Sequence, residues 1–241
     1  MTPELSQIWV YLAASPLLGL TITLLAYQFA YLIYSRSGFN PIVNPVAIAI
    51  VVLVAVLLST GTSYSTYFAG AQFVHFLLGP ATVALAVPLY LQWDKLKAMA
   101  LPLGVGLIAG SLTAIVSASA CAYALGASRQ TILSLAPKSV TTPIAMGISE
   151  KIGGLPSLTA VLVILTGISG AIMARPLLAG MLGIEAHWVR GFAVGTAAHG
   201  IGTARAFQVS DEMGAFAGLA MGLNGLLTSA ATPILLALFL H

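Results

Sequence analysis

Residues 195–207 read GTAAHGIGTARAF and place His199 and Arg205 among glycine, threonine and alanine. The surrounding chain of 241 residues is 59% hydrophobic and only 6% charged, with a mean hydropathy of +1.01. This composition is typical of a membrane protein. A histidine and an arginine on glycine-rich backbone need a structural reason in such a chain, because polar and ionisable side chains are costly in lipid.

The charged residues occur in clumps, and the runs between them are long enough for spans of about 20 residues. The uncharged runs are 5–35, 37–93, 98–128, 152–174 and 213–241. We therefore predict an all-α polytopic transmembrane bundle with about 6–8 crossings, formed by one domain over residues 1–241. The net charge of +3 comes from scattered cations rather than a basic face, so no nucleic-acid partner is expected.

Three segments of this bundle are interrupted rather than straight. After scaffold helices within 5–60, the first break falls at Gly79 and Pro80, and the second at Pro137 and Pro143. The third falls around Gly200 and Gly202 in the opening stretch. Lipid offers no hydrogen-bond partners, so non-helical backbone survives there only where it faces protein or a wet cavity. Broken helices therefore mark a candidate site, and whether they cross the membrane or re-enter from one side stays open.

An internal repeat accompanies the breaks. LLGPATV (77–83) aligns with SLAPKSV (134–140), and the same offset of 57 residues continues without a gap. Each unit would consist of a broken helix followed by a straight one. The predicted units are approximately 70–126, 127–183 and 184–240.

The breaks suggest how the protein would bind an anion. The N-terminus of a half-helix presents unpaired N–H groups with partial positive charge, which suit a carboxylate. We expect Lys138 and Arg205 to face one cavity and hold one carboxylate together. The predicted substrate-binding residues are Lys138, Ser139, Thr141, Thr142, His199, Gly200, Gly202, Thr203 and Arg205.

Each candidate also has a purely structural explanation. Lys138 would then reach out to the headgroups, and Arg205 would be a loop cation or pair with Asp211 or Glu212. His199 could titrate near neutral pH and couple a proton to substrate movement, and its structural explanation is a neutral imidazole that forms a hydrogen bond to backbone.

Other polar and small residues complete the predictions. His75 is a second candidate for proton coupling, because it lies one turn before a break. Gly214, Gly218 and Gly222 recur every four residues, which favours close helix packing and leaves dimerisation as an alternative. Asn224 is expected to form a hydrogen bond across that helix contact.

Enzymatic functions have no support in the sequence, which lacks HExxH, GxSxG and Walker motifs. We therefore predict no catalytic residue, no cofactor and no metal. The broken helices that carry Lys138 and Arg205 favour a secondary carrier for small organic anions, and a holin-like membrane assembly is the alternative.

Three segments resemble the signature segments of the LrgB/CidB family. They are LGPATVALAVPLY (78–90), SLAPKSVTTPIAMGISEKIGGLPSLTA (134–160) and GTAAHGIGTARA (195–206). The resemblance implies a multi-pass protein of the bacterial inner (plasma) membrane that works with a smaller LrgA/CidA-type partner. It also implies either holin- or antiholin-like control of murein hydrolase export and lysis, or transport of glycolate, glycerate, lactate or pyruvate, because the plastidal glycolate/glycerate translocator carries a related half.

Overall fold

The computed structural model describes the backbone of residues 16–239 and the side chains of 17–236 apart from those of His75, Leu78 and Thr82. All regular secondary structure in this range is helical, which confirms the all-α class. Five helical stretches of the described chain are long and apolar enough to cross a membrane: Leu17–Arg36, Tyr64–Tyr90, Ala100–Ala124, Pro156–Met181 and Asp211–Leu236. The predicted polytopic helical membrane protein is thus confirmed.

The contacts of the described residues divide the chain after Ala84 into two compact units, the first ending at this residue and the second beginning at Leu85. The prediction of one domain over 1–241, and that of three repeat units, stay predictions. Residues 5–15 of the predicted scaffold lie outside the described residues.

From residue 16 onward, the first unit contains four helices: α1 (Pro16–Arg36), α2 (Pro45–Thr60), α3 (Tyr64–Phe76) and α4 (Leu78–Ala84). The side chain of Asn44 begins α2, because its Oδ1 accepts hydrogen bonds from the first backbone N–H groups of that helix. Gly61 ends α2 in the left-handed conformation, with φ of 64°. Alanines at the contact allow α1 and α2 to pack closely.

The second unit contains the helices that position the candidate site. They are α5 (Ala86–Tyr90), α6 (Trp93–Ala98), α7 (Ala100–Ala124), α8 (Arg129–Leu135), α9 (Thr142–Ile152), α10 (Pro156–Ala174), α11 (His187–Phe207) and α12 (Asp211–Phe239). A π-helical stretch, Arg175–Met181, extends α10.

Helices α8 and α9 form a first hairpin whose tip is the connection 136–141. The backbone N–H of Leu155 donates a 2.8 Å hydrogen bond to Ser134 Oγ. A side chain at Gly154 would lie 3.0 Å from the backbone nitrogen of Ser134, so the chain passes close to itself there. The end of α8 and the residues that follow α9 therefore lie side by side at the start of α10, with the tip between the two helices.

Helix α11 is a second hairpin, and its tip is Ala198–His199. Ala198 (φ −124°, ψ 16°) and His199 (φ 40°, ψ −135°) leave the helical region, so the two halves are separate helices. A Cβ on Gly202 would lie 2.8 Å from Val194 Cγ1, which requires the second half to pack against the first. The ends meet as well, since Ser210 Oγ and His187 Nδ1 lie 3.0 Å apart.

The two hairpins enter the second unit from opposite ends. The first hairpin opens at the start of α10, and the second opens after the end of the Pro156–Met181 span. Both tips reach the middle of α10, where Val140 packs with Val163 and Gly167 faces His199. These two broken segments therefore fold back within the bundle instead of crossing it.

Helices α11 and α12 approach each other closely at two glycines of α11. A side chain at Gly191 would collide with the carbonyl of Met213, and one at Gly195 with that of Ala217. On α12 itself, Gly214 packs against Phe207.

The rest of the predicted glycine series contributes less to packing. A Cβ on Gly218 would lie 3.4 Å from Leu85, and one on Gly222 would meet nothing within 4 Å in the described chain.

The predicted break residues lie at or near helix ends. Gly79 and Pro80 are in the first turn of the short α4, which follows a turn at Leu77. Pro137 lies in the tip of the first hairpin, whereas Pro143 is in the first turn of α9, where proline is well tolerated.

Candidate functional site

The two hairpin tips meet at the buried side-chain amide of Asn224. Its Nδ2 donates hydrogen bonds to the carbonyls of Thr196 at 2.9 Å and Ser139 at 3.2 Å. Its Oδ1 accepts from Thr228 Oγ1 at 3.2 Å and from Ser111 Oγ. The amide thus uses both of its donors and both acceptor positions, and a satisfied buried network of this kind specifies one arrangement of the helices.

This network explains how the break in α11 is tolerated. Where a helix stops, its last carbonyls lose the N–H partners that the next turn would supply. Thr196 precedes the break at Ala198–His199, and Asn224 supplies its carbonyl with a donor from α12. Ser111 of α7 and Asn224 of α12 each lie in the middle of an apolar span. We call the hydrogen-bonded group around Asn224 the polar centre, and it therefore lies at mid-span.

His199 forms the tip of the second hairpin and is buried, with 4% of its surface exposed. Its Nε2 lies 2.9 Å from the carbonyl oxygen of Val163, so this nitrogen carries the proton and donates it. The ring occupies space that Gly167 leaves, since a Cβ there would lie 2.7 Å from the imidazole. Thr203 Oγ1 donates a 2.8 Å hydrogen bond to the His199 carbonyl and stabilises the turn from the second half.

Lys138 lies at the tip of the first hairpin and is half-buried. Its Nζ donates a 3.0 Å hydrogen bond to Ser139 Oγ, and the ammonium is close enough to His199 for an electrostatic interaction. Among the described residues it forms no ion pair with a carboxylate. The structure therefore places one cation beside the meeting point of the two tips.

Two helix N-termini also open at the tips. Thr141 precedes α9 in an extended conformation, and no side chain caps the first N–H groups of that helix. The second half of α11 begins after His199, with Gly200 and Gly202 in its first turn. First-turn N–H groups have no partner within their own helix and carry partial positive charge.

Gly202 does more than leave the backbone open, because its bare Cα faces Val194 and Ala198 across the hairpin. Around Gly200 there is more space, and a Cβ added there would lie 3.8 Å from Met221 Sδ, its nearest neighbour. Thr142 is half-buried at the start of α9.

Arg205 lies away from Lys138, at the open end of the second hairpin. It lines a cavity together with Arg175 and Arg190, and Lys138 is not among the lining residues. Its Nη1 donates a 3.0 Å hydrogen bond to Gln208 Oε1.

The structure thus brings Lys138, Ser139 and His199 together and places Arg205 elsewhere. Whether any of them binds a substrate stays a prediction. The side chain of His75 lies outside the described residues. In the part of the chain that the structure describes, no three histidine, cysteine or acidic side chains lie close enough together to hold a metal ion.

The sequence predicts the two breaks at which the hairpins turn, but neither the hairpins nor the residue that joins their tips. It predicts for Asn224 only a hydrogen bond at a helix contact, and it gives no role to Ser111 or Thr196. The available signal is a single asparagine inside an apolar span of 26 residues, since polar groups at that depth require partners.

The fold and the polar centre define a class: a multi-pass helical membrane protein in which two hairpins from opposite ends meet at mid-span. The profile of the LrgB-like family matches residues 23–238, and the chain belongs to this family. The family predicted from the sequence is therefore confirmed.

Similar proteins occur in several bacteria. "Uncharacterized protein YwbG" of Bacillus subtilis is 38% identical over 91% of this chain and 97% of its own length. "Holin-like protein CidB" is 33% identical in Staphylococcus epidermidis, covering 95% of this chain and 98% of the relative. The protein of the same name in Staphylococcus aureus is 31% identical, covering 92% of this chain and 96% of its own length. No solved structure matches the chain significantly. The bacterial relatives agree with the predicted multi-pass protein of the inner (plasma) membrane.

Proposed function

We propose that this protein is a holin-like regulator of the bacterial inner membrane that influences murein hydrolase export and cell lysis. The observation that carries the proposal is the similarity to proteins named "Holin-like protein CidB", which extends over 92–95% of this chain. We further propose that it acts with a small LrgA/CidA-type membrane partner, as the family resemblance implies.

A second candidate is a carrier for small monocarboxylates such as glycolate, glycerate, lactate or pyruvate. The specific observation in its favour is Lys138, a cation without a carboxylate partner among the described residues, at the tip of a hairpin inside the bundle. A lysine at membrane depth costs roughly 3 kcal/mol, which is difficult to explain for a residue with a packing role alone.

The geometry of the tips also suits an anion of this size. The N-termini of α9 and of the second half of α11 open beside Lys138, so backbone N–H groups and one ammonium could share a carboxylate. His199 would position the second tip through its bond to Val163 in this arrangement, because its Nε2 proton is already donated to backbone.

The two candidates differ in the size of solute that passes. In liposomes that contain the purified protein, a carrier takes up labelled glycolate, lactate or pyruvate with saturation and retains an encapsulated fluorescent dextran. A holin-like protein releases the dextran, alone or after addition of the partner. The holin-like proposal is wrong if the dextran is retained with and without the partner while carboxylate uptake saturates.

Two variants test whether uptake depends on the tip of the first hairpin. Lys138→Gln removes the cation at the tip, whereas Lys151→Gln removes an exposed cation from the last turn of α9 in the same hairpin. A carrier should lose saturable uptake only with Lys138→Gln. Dextran release that both variants retain would support the holin-like function.

A further inference from the structure

Three arginines converge at the open end of the second hairpin. Arg175, Arg190 and Arg205 line one cavity of about 240 Å³. Arg175 comes from the π-helical extension of α10, and the other two come from opposite halves of α11. A straight α11 would separate Arg190 from Arg205 by most of its length, so the cavity exists only because this helix folds back at its tip.

No acidic side chain lines this cavity. The other lining residues are apolar: Ala171, Ala174, Val209 and Met213. Among the described residues, Lys95 pairs with Glu212 and Lys97 with Asp94, so these carboxylates are held by lysines. Three arginines thus line a space of small-molecule size, and no carboxylate residue of the described chain is in its wall.

Arg190 gives this cavity a second feature. Its Nε is buried and has no hydrogen-bond partner among the described residues. Buried donors are normally satisfied, and each unsatisfied one calls for an explanation such as a bound ion or ligand. The Nε–H and a neighbouring Nη–H of a guanidinium point the same way, so one oxyanion can accept from both.

The position of the cavity indicates which oxyanion it meets. It lies where the Pro156–Met181 span ends and the Asp211–Leu236 span begins, at one end of the apolar spans. That level of a membrane contains phosphate headgroups, and basic pockets between transmembrane helices bind such groups. Arginine is preferred for phosphate because its planar fork matches two phosphate oxygens.

We propose that the cavity of Arg175, Arg190 and Arg205 binds a phosphate group. An anionic phospholipid headgroup and free inorganic phosphate are the two sources of this chemistry. The proposal is independent of the proposed function, since it concerns neither the hairpin tips nor a transported solute.

The test measures thermal unfolding of the purified full-length protein in a neutral detergent. Dimyristoyl phosphatidylglycerol, dimyristoyl phosphatidylcholine or sodium phosphate is added at constant ionic strength, maintained with sodium chloride. We expect phosphatidylglycerol to raise the melting temperature of the wild type, and phosphatidylcholine to have no such effect. The concentration at half-maximal stabilisation should rise roughly ten- to a hundred-fold in Arg190→Gln, because a charge-assisted hydrogen bond is lost.

Two further variants define the specificity. Arg129→Gln, an exposed arginine at the start of α8 and at the other end of the bundle, should respond to phosphatidylglycerol like the wild type. Arg205→Lys should bind more weakly, because an ammonium cannot form the two-pronged contact. If Arg190→Gln does not fold, Arg175→Gln makes the same comparison with an exposed side chain.

The two phosphate sources give different patterns of stabilisation. Stabilisation by phosphatidylglycerol alone supports a lipid headgroup, and stabilisation by sodium phosphate as well supports a site that admits free phosphate. The proposal is overturned if neither compound stabilises the wild type, or if the cavity variants and Arg129→Gln show the same half-maximal concentration.

Discussion

The side-chain amide of Asn224 donates a 3.2 Å hydrogen bond to the backbone carbonyl of Ser139, which joins α12 to the tip of the first hairpin. The other amide hydrogen is donated to Thr196, next to the tip of the second hairpin. One residue thus connects two segments that enter from opposite ends of the bundle.

Replacing Asn224 with leucine should destabilise the second unit. Two buried carbonyls and the hydroxyl of Ser111 would lose their partner, at a cost of about 1–3 kcal/mol for each group left unsatisfied. The measurement is thermal or denaturant unfolding of the purified protein in detergent.

A matched control lies on the same helix. Ser229 is exposed and its hydroxyl donates to the carbonyl of Gly225 one turn earlier, so Ser229→Ala should change stability by less than about 0.5 kcal/mol. Equal stability of Asn224→Leu and Ser229→Ala would contradict the role of the amide network.

Gly167→Ala should displace the imidazole of His199. The new Cβ would lie 2.7 Å from the ring and 2.9 Å from Cβ of Ile201, closer than such contacts occur. The tip would have to move, with the loss of the bond to Val163 and a stability cost of about 1–3 kcal/mol.

The comparison for this prediction is Gly104→Ala in α7, where the added methyl group meets nothing within 4 Å. Alanine should stabilise that helix by up to about 1 kcal/mol. We would measure unfolding together with proteolysis of the tip, and a Gly167→Ala protein as stable as Gly104→Ala would show that the ring does not need this space.

Removing Lys138 should affect permeation more than folding. If the second candidate function is correct, Lys138→Gln weakens the apparent affinity for a monocarboxylate roughly ten- to a hundred-fold, because one charge-assisted hydrogen bond disappears. Uptake into proteoliposomes over a range of concentrations gives this value. Arg205→Gln provides the contrast. Because Arg205 lies outside the tip region, carboxylate uptake by this variant should stay near that of the wild type. A loss of affinity similar to that of Lys138→Gln would support the joint site that the sequence predicted.

Much of the architecture could be predicted because it depends on hydrophobic runs and prolines, which the sequence shows directly. Pro137 and the glycines around His199 mark the two tips, and both segments do leave the helical conformation there. The prediction for α11 centred on Gly200 and Gly202, but the backbone departs from a helix at Ala198 and His199. Alanine and histidine have no strong turn preference, so their conformation follows from the tertiary contact with Val163 and Gly167.

Which residues lie together in the site was harder to predict, because this depends on whether each broken segment crosses the membrane or turns back. A segment that crosses the membrane separates its two ends, whereas a hairpin brings them together, and both have the same hydropathy. The neighbourhood of Arg205 therefore could not follow from sequence spacing. Only the folding back of α11 shows that Arg205 meets Arg190 instead of Lys138.

The topology itself is the last prediction, and single-cysteine labelling tests it. Cys121 is exposed and is the chain's single cysteine, so Cys121→Ala provides the background. Glu185→Cys and Asp211→Cys flank the second hairpin and should both react with a membrane-impermeant maleimide from one side of the membrane. Ala127→Cys and Lys151→Cys flank the first hairpin and should both react from the other side.

The side of the membrane on which each end of the second unit lies is also predictable from charge. Lys95 pairs with Glu212 at the start of α12, so Lys95, Lys97 and the three cavity arginines lie at the end that carries Glu185 and Asp211. Arg129 and Lys151 lie at the other end. Cytoplasmic ends carry more lysine and arginine, so the Glu185 and Asp211 positions should be labelled only in inside-out vesicles. Labelling of Glu185→Cys and Asp211→Cys from opposite sides would mean that α11 crosses the membrane, and would refute both the hairpin and the cavity that depends on it.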